Sequence, residues 1–142
     1  QKCPQVWTIE FLSKVTENLN SQGYLITYSS SAAVRKTLRN LGLEIFTIKP
    51  SFKNRTFWSQ GTVAISKFDK NKLKPNFNFE KLSLMEEEHL LTKASIPYRD
   101  QDLNSSKDDI IKRRLDEQLF SNLLSTNKWR EKWGMTKLSV KS

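Results

Sequence analysis

Glycine is scarce and scattered in this sequence. Gly23, Gly42, Gly61 and Gly134 are the only four, and no two lie close enough to build the glycine-rich turn on which a dinucleotide or an S-adenosylmethionine (SAM) sits after a first strand. A P-loop is excluded for the same reason. The single cysteine, Cys3, cannot form an internal disulfide, which fits a reducing compartment and leads us to expect a cytoplasmic protein. The single histidine, His89, follows Glu86, Glu87 and Glu88 with no second His or Cys to complete a ligand set, so no metal is expected and the glutamates read as a solvated acidic helix face. No apolar run is long enough to span a bilayer, and Gln1-Lys2-Cys3-Pro4 has no signal-peptide pattern; no membrane partner is expected.

What is present is charge of one sign and a good number of large side chains. The 142 residues carry 24 Lys and Arg against 15 Asp and Glu, a net charge of +9, with eight Phe and four Trp. Up to residue 66 there are 8 basic and 3 acidic residues, and beyond it 16 and 12. Such a balance favours an anionic partner such as nucleic acid, because clustered cations are rewarded by counterion release.

Periodicity organises the first half. Ile9, Leu12, Val15, Thr16 and Leu19 recur at helical spacing over 4–20, with Pro4 in the first turn and Thr8 able to cap. Tyr24 to Tyr28 is a run too apolar for a wet face and reads as a buried strand. A helix over 32–41 follows, with Ser31 as N-cap. Val34, Leu38 and Leu41 form its apolar stripe, Arg35, Lys36 and Arg39 fall outside that stripe, and Gly42 ends it. Leu43 to Lys49 alternates as a strand, 50–60 is a basic and aromatic loop, and Thr62 to Ser66 is a further strand. Alternation of this kind predicts an α/β sheet with helices on its faces. Three strands leave that sheet incomplete, with an apolar edge on the first strand that invites a partner.

Residues 67–81, rich in Lys, Asn and Asp, read as a linker, and 82–142 as a helical extension. Within the extension a short helix is expected near 82–90 and a longer one from Ser106, its cap, to Leu124. The longer helix has Ile111, Leu115, Leu119 and Leu123 as a stripe and Asp109/Arg113 and Arg113/Glu117 as i,i+4 pairs. That stripe is expected to dock the tail, with Trp129 and Trp133 anchoring its end.

Two constellations carry candidate chemistry. Tyr28-Ser29-Ser30-Ser31 lies where a strand runs into a helix, where ligands of open α/β sheets collect; a simple capped turn accounts for it equally well. Lys49, Lys53, Arg55, Phe57 and Trp58 combine cations for phosphates with rings that can stack on an unpaired base, against the reading of a surface loop with its rings tucked inward.

Three segments go further. Lys2-Cys3-Pro4-Gln5-Val6-Trp7-Thr8, Gly23-Tyr24-Leu25-Ile26-Thr27-Tyr28-Ser29 and Ala33-Val34-Arg35-Lys36-Thr37-Leu38 follow the K-x-P-x-x-W-T, G-x-L-x-T-(Y/F)-(S/T) and V-R-x-x-L patterns. In these the chain resembles the MnmC-like methyltransferases, and Phe57 to Ala64 with Leu82 to Asp100 resemble their cyanobacterial branch. The resemblance implies the C-terminal half of a class I, Rossmann-like methyltransferase sheet over 1–66, whose last strand inserts antiparallel, followed by the helical tail. It implies SAM as the methyl donor of the parent protein and tRNA as partner, the target being the 5-aminomethyl group of the wobble 2-thiouridine. The family's acidic D-x-F-(S/A)-P segment stands just before the residue matching Lys2, and its glycine-rich motif further upstream. A missing N-terminal half is therefore an expected partner, no catalytic residue is assigned, and the chain is expected to be inactive and without cofactor when alone. The matching positions imply a pocket wall of Lys2, Pro4, Trp7, Ser29 and Arg35, with Lys49, Lys53, Arg55 and Trp58 as RNA-binding candidates. A non-catalytic basic module that binds RNA or protein through its open sheet edge is the competing reading.

Overall fold

The computed structural model describes residues 2–49, 59–66 and 79–135. A 3-10 turn, Pro4–Trp7, precedes α1 (Ile9–Glu17). The single helix expected over 4–20 is thus broken at Thr8. The cause is local: the Thr8 hydroxyl accepts from Phe11 N at 3.2 Å and so caps α1, while Ile9 N donates to Tyr98 O from the tail at 3.0 Å. Next come β1 (Tyr24–Thr27), α2 (Ala32–Asn40), β2 (Leu43–Ile48), β3 (Thr62–Ser66) and β4 (Phe79–Lys81). Gly42, at φ +95°, reverses the chain between α2 and β2, where a side chain would strain the backbone.

The four strands form one sheet in the order β1-β3-β2-β4. β3 is antiparallel to both β1 and β2, with Thr62 opposite Thr27 on one side and Thr47 on the other, so β1 and β2 run parallel with β3 inserted between them. The α/β class and the antiparallel last strand of 1–66 are as the sequence led us to expect. Being central, β3 is buried on both faces; β2 alternates, presenting Leu43, Ile45 and Thr47 to the core. The buried strand expected at 24–28 is instead an edge strand, with Tyr24 and Ile26 40% and 47% exposed, because among the described residues nothing pairs with its outer side. β4 is a correction as well: the end of the stretch read as a linker pairs antiparallel with β2, and Phe79 meets Phe46 edge-on at 5.2 Å.

Leu12 of α1 and Ala32, Val34 and Leu38 of α2 pack on Leu43, Ile45 and Ala64 of the sheet, and Leu82 and Leu90 of the tail join the same cluster. A side chain as enclosed as Leu38 contributes roughly 1.5–3 kcal/mol by its burial. A second cluster, Ala33, Tyr98 and Ile110 with Trp7 against it, joins α2 to the tail.

The tail comprises α3 (Leu84–His89), α4 (Lys107–Phe120) and α5 (Thr126–Lys132), and it docks on the sheet domain. Ser106 caps α4 by accepting from Asp109 N. The docking face is not the expected leucine stripe, since Leu115 is 57% and Leu119 72% exposed, whereas Ile110 is fully enclosed. Arg114 explains the rotation: it lies over the Tyr98 ring at 4.5 Å and donates to Ile96 O and Ala94 O. The expected Arg113/Glu117 pair is replaced by Arg99 with Glu117, and Arg113 donates to Ser105 Oγ. Trp129 anchors the end as expected, buried, donating from Nε1 to Met85 O and stacked on His89 at 4.1 Å.

Candidate functional site

At the C-terminal end of β1 the chain passes through Tyr28 to Ser31 into α2. Ser29 N donates to Thr27 Oγ1 and Ser31 N to Ser29 Oγ, so the turn occupies part of its own polar capacity. Thr62 Oγ1 donates to Ser29 O at 2.7 Å, pinning the turn to β3. Gly61 approaches from the same side: a Cβ there would stand 2.3 Å from Thr27 O, so this crossing of β1 by the start of β3 excludes a side chain. Tyr28 stands almost wholly in solvent beside this turn.

Arg35 lies beneath it. Expected outside the apolar stripe of α2, it is 2% exposed, inside the core, because a ring of acceptors distant in sequence surrounds it. Nε donates to Thr62 Oγ1 at 2.8 Å, Nη1 to Glu86 Oε1 at 2.9 Å, and Nη2 reaches Ser59 Oγ, Gly61 O and Thr47 Oγ1. The guanidinium thus joins α2, β2, β3 and α3, and it holds the Ser29 turn in place through Thr62. Burial pulls the Arg35 pKa below its ordinary value in spite of Glu86. Burial would raise that of Glu86, but the Ser83 backbone N–H, the Thr47 hydroxyl and Arg35 outweigh it, so the carboxyl is held below the usual range. Thr47, Ser59 and Thr62 do not stand out in the sequence, and Glu86 reads there only as part of a solvated acidic face, although Ser83-Leu84-Met85-Glu86 spells a capping box, and the structure forms it.

The other candidates separate. Pro4 is buried, Lys2 is exposed, and Trp7 sits between the two core clusters, where it shares neighbours with Ala33. Trp7 and Arg35 therefore both bear on the first half of α2. Among the described residues no hydrogen bond or ion pair joins Lys2 to Ser29 or Arg35. Lys49 is exposed and pairs with Glu80 at 2.7 Å. Lys53, Arg55 and Trp58, with Phe57, lie outside the described residues.

The glutamates read as a solvated face are each engaged: Glu86 by Arg35, Glu87 by Arg39 through two hydrogen bonds, and Glu88 by Lys132 and Trp133 Nε1. The correction has a simple cause, since α5 and α2 close over α3. Burial, reinforced by Arg35 and Arg130, pushes the pKa of His89 down to about 4. Among the described residues no three His, Cys, Asp or Glu are grouped to hold a metal, and no helix is long and apolar enough to cross a membrane. The arrangement sets an exposed phenol and a pinned serine turn at the strand ends, with no nucleophile and base in contact among the described residues.

Residues 1–64 match the family model of S-adenosyl-L-methionine-dependent methyltransferases. An uncharacterised protein of Methanocaldococcus jannaschii is 29% identical over 129 residues, which are 89% of this chain and 33% of that protein. Among solved structures, MnmC2 from Aquifex aeolicus superposes with a TM-score of 0.67 at 30% identity, over 82% of this chain and 34% of that one. The chain spans about a third of the length of each of these relatives.

Proposed function

We propose, from the premise that this chain belongs to the S-adenosyl-L-methionine-dependent methyltransferase family of MnmC-like proteins, that it is the downstream wall of a tRNA-modifying enzyme. In this reading the whole enzyme methylates the 5-aminomethyl group of the wobble 2-thiouridine, with tRNA as partner, and this chain alone is inactive. The observation that carries it is the strand order: β1 and β2 parallel with β3 antiparallel between them is the closing half of a class I methyltransferase sheet. The half-exposed outer side of β1 supports the upstream part of the same protein as the missing neighbour, since an apolar strand edge left bare is a liability.

The residues of this chain do not by themselves fit SAM. The one strand-to-helix turn described here that could cradle it, at Ser29, has no pair of glycines to let backbone approach the ligand, and two of its amides are already used within the turn. Donor binding and the placement of donor against amine belong to the upstream segment, and positioning of that kind is the larger part of such catalysis. The present chain contributes a rigid strand end, held by Arg35 and Thr62, against which a substrate can be oriented.

The test is transfer of labelled methyl from SAM to tRNA carrying 5-aminomethyl-2-thiouridine. The 142-residue chain should neither transfer methyl nor bind SAM in isothermal titration, and the same chain joined to the upstream two thirds should do both. Micromolar SAM binding by the chain alone, or equal methylation of tRNA lacking the aminomethyl group, overturns the reading.

A further inference from the structure

A cavity of about 370 Å³ opens between α1, α2 and the tail, well away from the serine turn. Its residues on α2, Lys36, Thr37 and Asn40, lie in the C-terminal part of the helix, and at about 1.5 Å rise per residue Asn40 stands roughly 13 Å along the axis from Ser31. Asn40 is therefore at the opposite end of α2 from the strand ends discussed above and Lys36 at its middle, and the cavity shares no lining residue with the serine turn.

The lining divides in two. Ile9, Leu41, Ile96, Pro97 and Leu123 make most of the wall apolar. Lys36, Asn40 and Arg99 supply a polar side holding two cations and no carboxylate. Lys36 and Asn40 make no side-chain hydrogen bond or ion pair among the described residues. Glu87, which feels the charge of Lys36, is already held through both oxygens by Arg39, and Arg99 is shared with Glu117. A surface lysine is ordinarily just solvated. Here it stands one turn from an uncommitted amide on the same helix, over an apolar hollow within the roughly 300–1,000 Å³ range of small-molecule sites, which are mostly apolar with a few placed polar groups.

The geometry points to a binding site for a small amphipathic anion, a carboxylate or sulfonate whose apolar body fills the hollow and whose charged head meets Lys36 and Asn40. Leu123 belongs to the tail and Ile9 to α1, so an occupant would bridge the tail to the sheet domain.

Anilinonaphthalene sulfonate, an anionic apolar dye, is the probe, titrated into the full 142-residue chain with fluorescence as readout and octanoate as competitor. One saturable site with a Kd on the order of 10 µM is expected. Lys36→Met should weaken it roughly tenfold, as loss of a charge-assisted hydrogen bond implies, and the neutral dye dansylamide should bind more weakly by a similar factor. Leu123→Trp, which fills the hollow, should abolish binding. Leu119→Ala, on the exposed leucine row outside the cavity, should leave it unchanged. Circular dichroism and a melting curve verify that each variant is folded; should Leu123→Trp not fold, Lys36→Met, at a position not used by the core, still decides. The proposal is overturned by absence of saturable binding, by equal affinity in Lys36→Met, by equal affinity for the neutral dye, or by loss of binding in Leu119→Ala.

Discussion

Replacing Glu86 by Gln removes one charge from the centre of the molecule and changes almost no volume. Glu86 Oε1 accepts from Arg35 Nη1, while Oε2 accepts from both Ser83 N and Ser83 Oγ. An amide has one acceptor oxygen, so whichever way the substituted side chain turns, its NH2 faces a donor: the Ser83 N–H in one orientation, the guanidinium in the other. Breaking a buried pair by removing one partner costs about 3–5 kcal/mol. The retained oxygen and the edge position of Glu86, 8% exposed, place the expected loss near the lower end, about 3 kcal/mol. In a chain of this size that is a fall in Tm of roughly 6–12 °C. Urea denaturation of the parent, Glu86→Gln, Arg35→Met and the double variant measures the loss and the coupling, and a coupling of about 2 kcal/mol is expected for groups in one network. Acid titration adds a second readout. The folded carboxyl lies below its unfolded value, so its contribution is fully present above the ordinary glutamate range, about 4.3, and is lost as pH falls through and below that range. Glu86→Gln should flatten that acid limb. A loss under 1 kcal/mol, or additive single effects, would falsify the view of Arg35 and Glu86 as the joint between tail and sheet.

The docking face of α4 is tested by a pair of truncations: Ile110→Ala should cost about 2–5 kcal/mol in denaturant unfolding and Leu119→Ala less than about 0.5, and the reverse ranking would restore the leucine stripe as the packed face. Thr37 is buried and its Oγ1 has no partner within the described residues, so Thr37→Val should raise stability by about 1 kcal/mol; a loss of that size would mean the hydroxyl is satisfied. His89, the sole histidine, should titrate by NMR with a midpoint of about 4. Because its folded pKa is depressed from 6.5, its neutral form supports the fold fully above that value, and stability drains away as pH falls from 6.5 toward 4. A midpoint near 6.5 would place the ring in water and dismiss its stack on Trp129.

Local signals proved readable where the cause was itself local. Thr8 and Ser106 are caps that a sequence announces, Gly42 ends a helix where left-handed backbone is needed, and β3 returns antiparallel as the family resemblance implied. The failures share a different origin. Arg35 looks like a surface residue because its acceptors Thr47, Ser59, Thr62 and Glu86 are 12 to 51 positions away, and no window reveals them. The leucines of α4 have the better periodicity, yet a cation stacked on Tyr98 and two carbonyls decide which way the helix turns, and apolar counting is blind to that. Of the candidate wall, the turn at Ser29 was legible from strand-to-helix placement. That Trp7 reaches the same helix depends on Tyr98 and Ile110, from the far end of the chain.

The insertion of β3 has a consequence in time. β1 and β2 are made first, yet they lie on either side of a strand that does not yet exist, and neither has another main-chain neighbour in the described sheet until Thr62–Ser66 arrives, except for the late, three-residue β4 beside β2. During synthesis β2 must wait as an unladdered segment, and so must the inner edge of β1, whose outer edge is the one the upstream part of the protein takes in the reading proposed above. One short segment then closes two ladders at once, so the β1–β3 and β3–β2 ladders form together, and their rate is set by the entropy of bringing segments distant in sequence side by side.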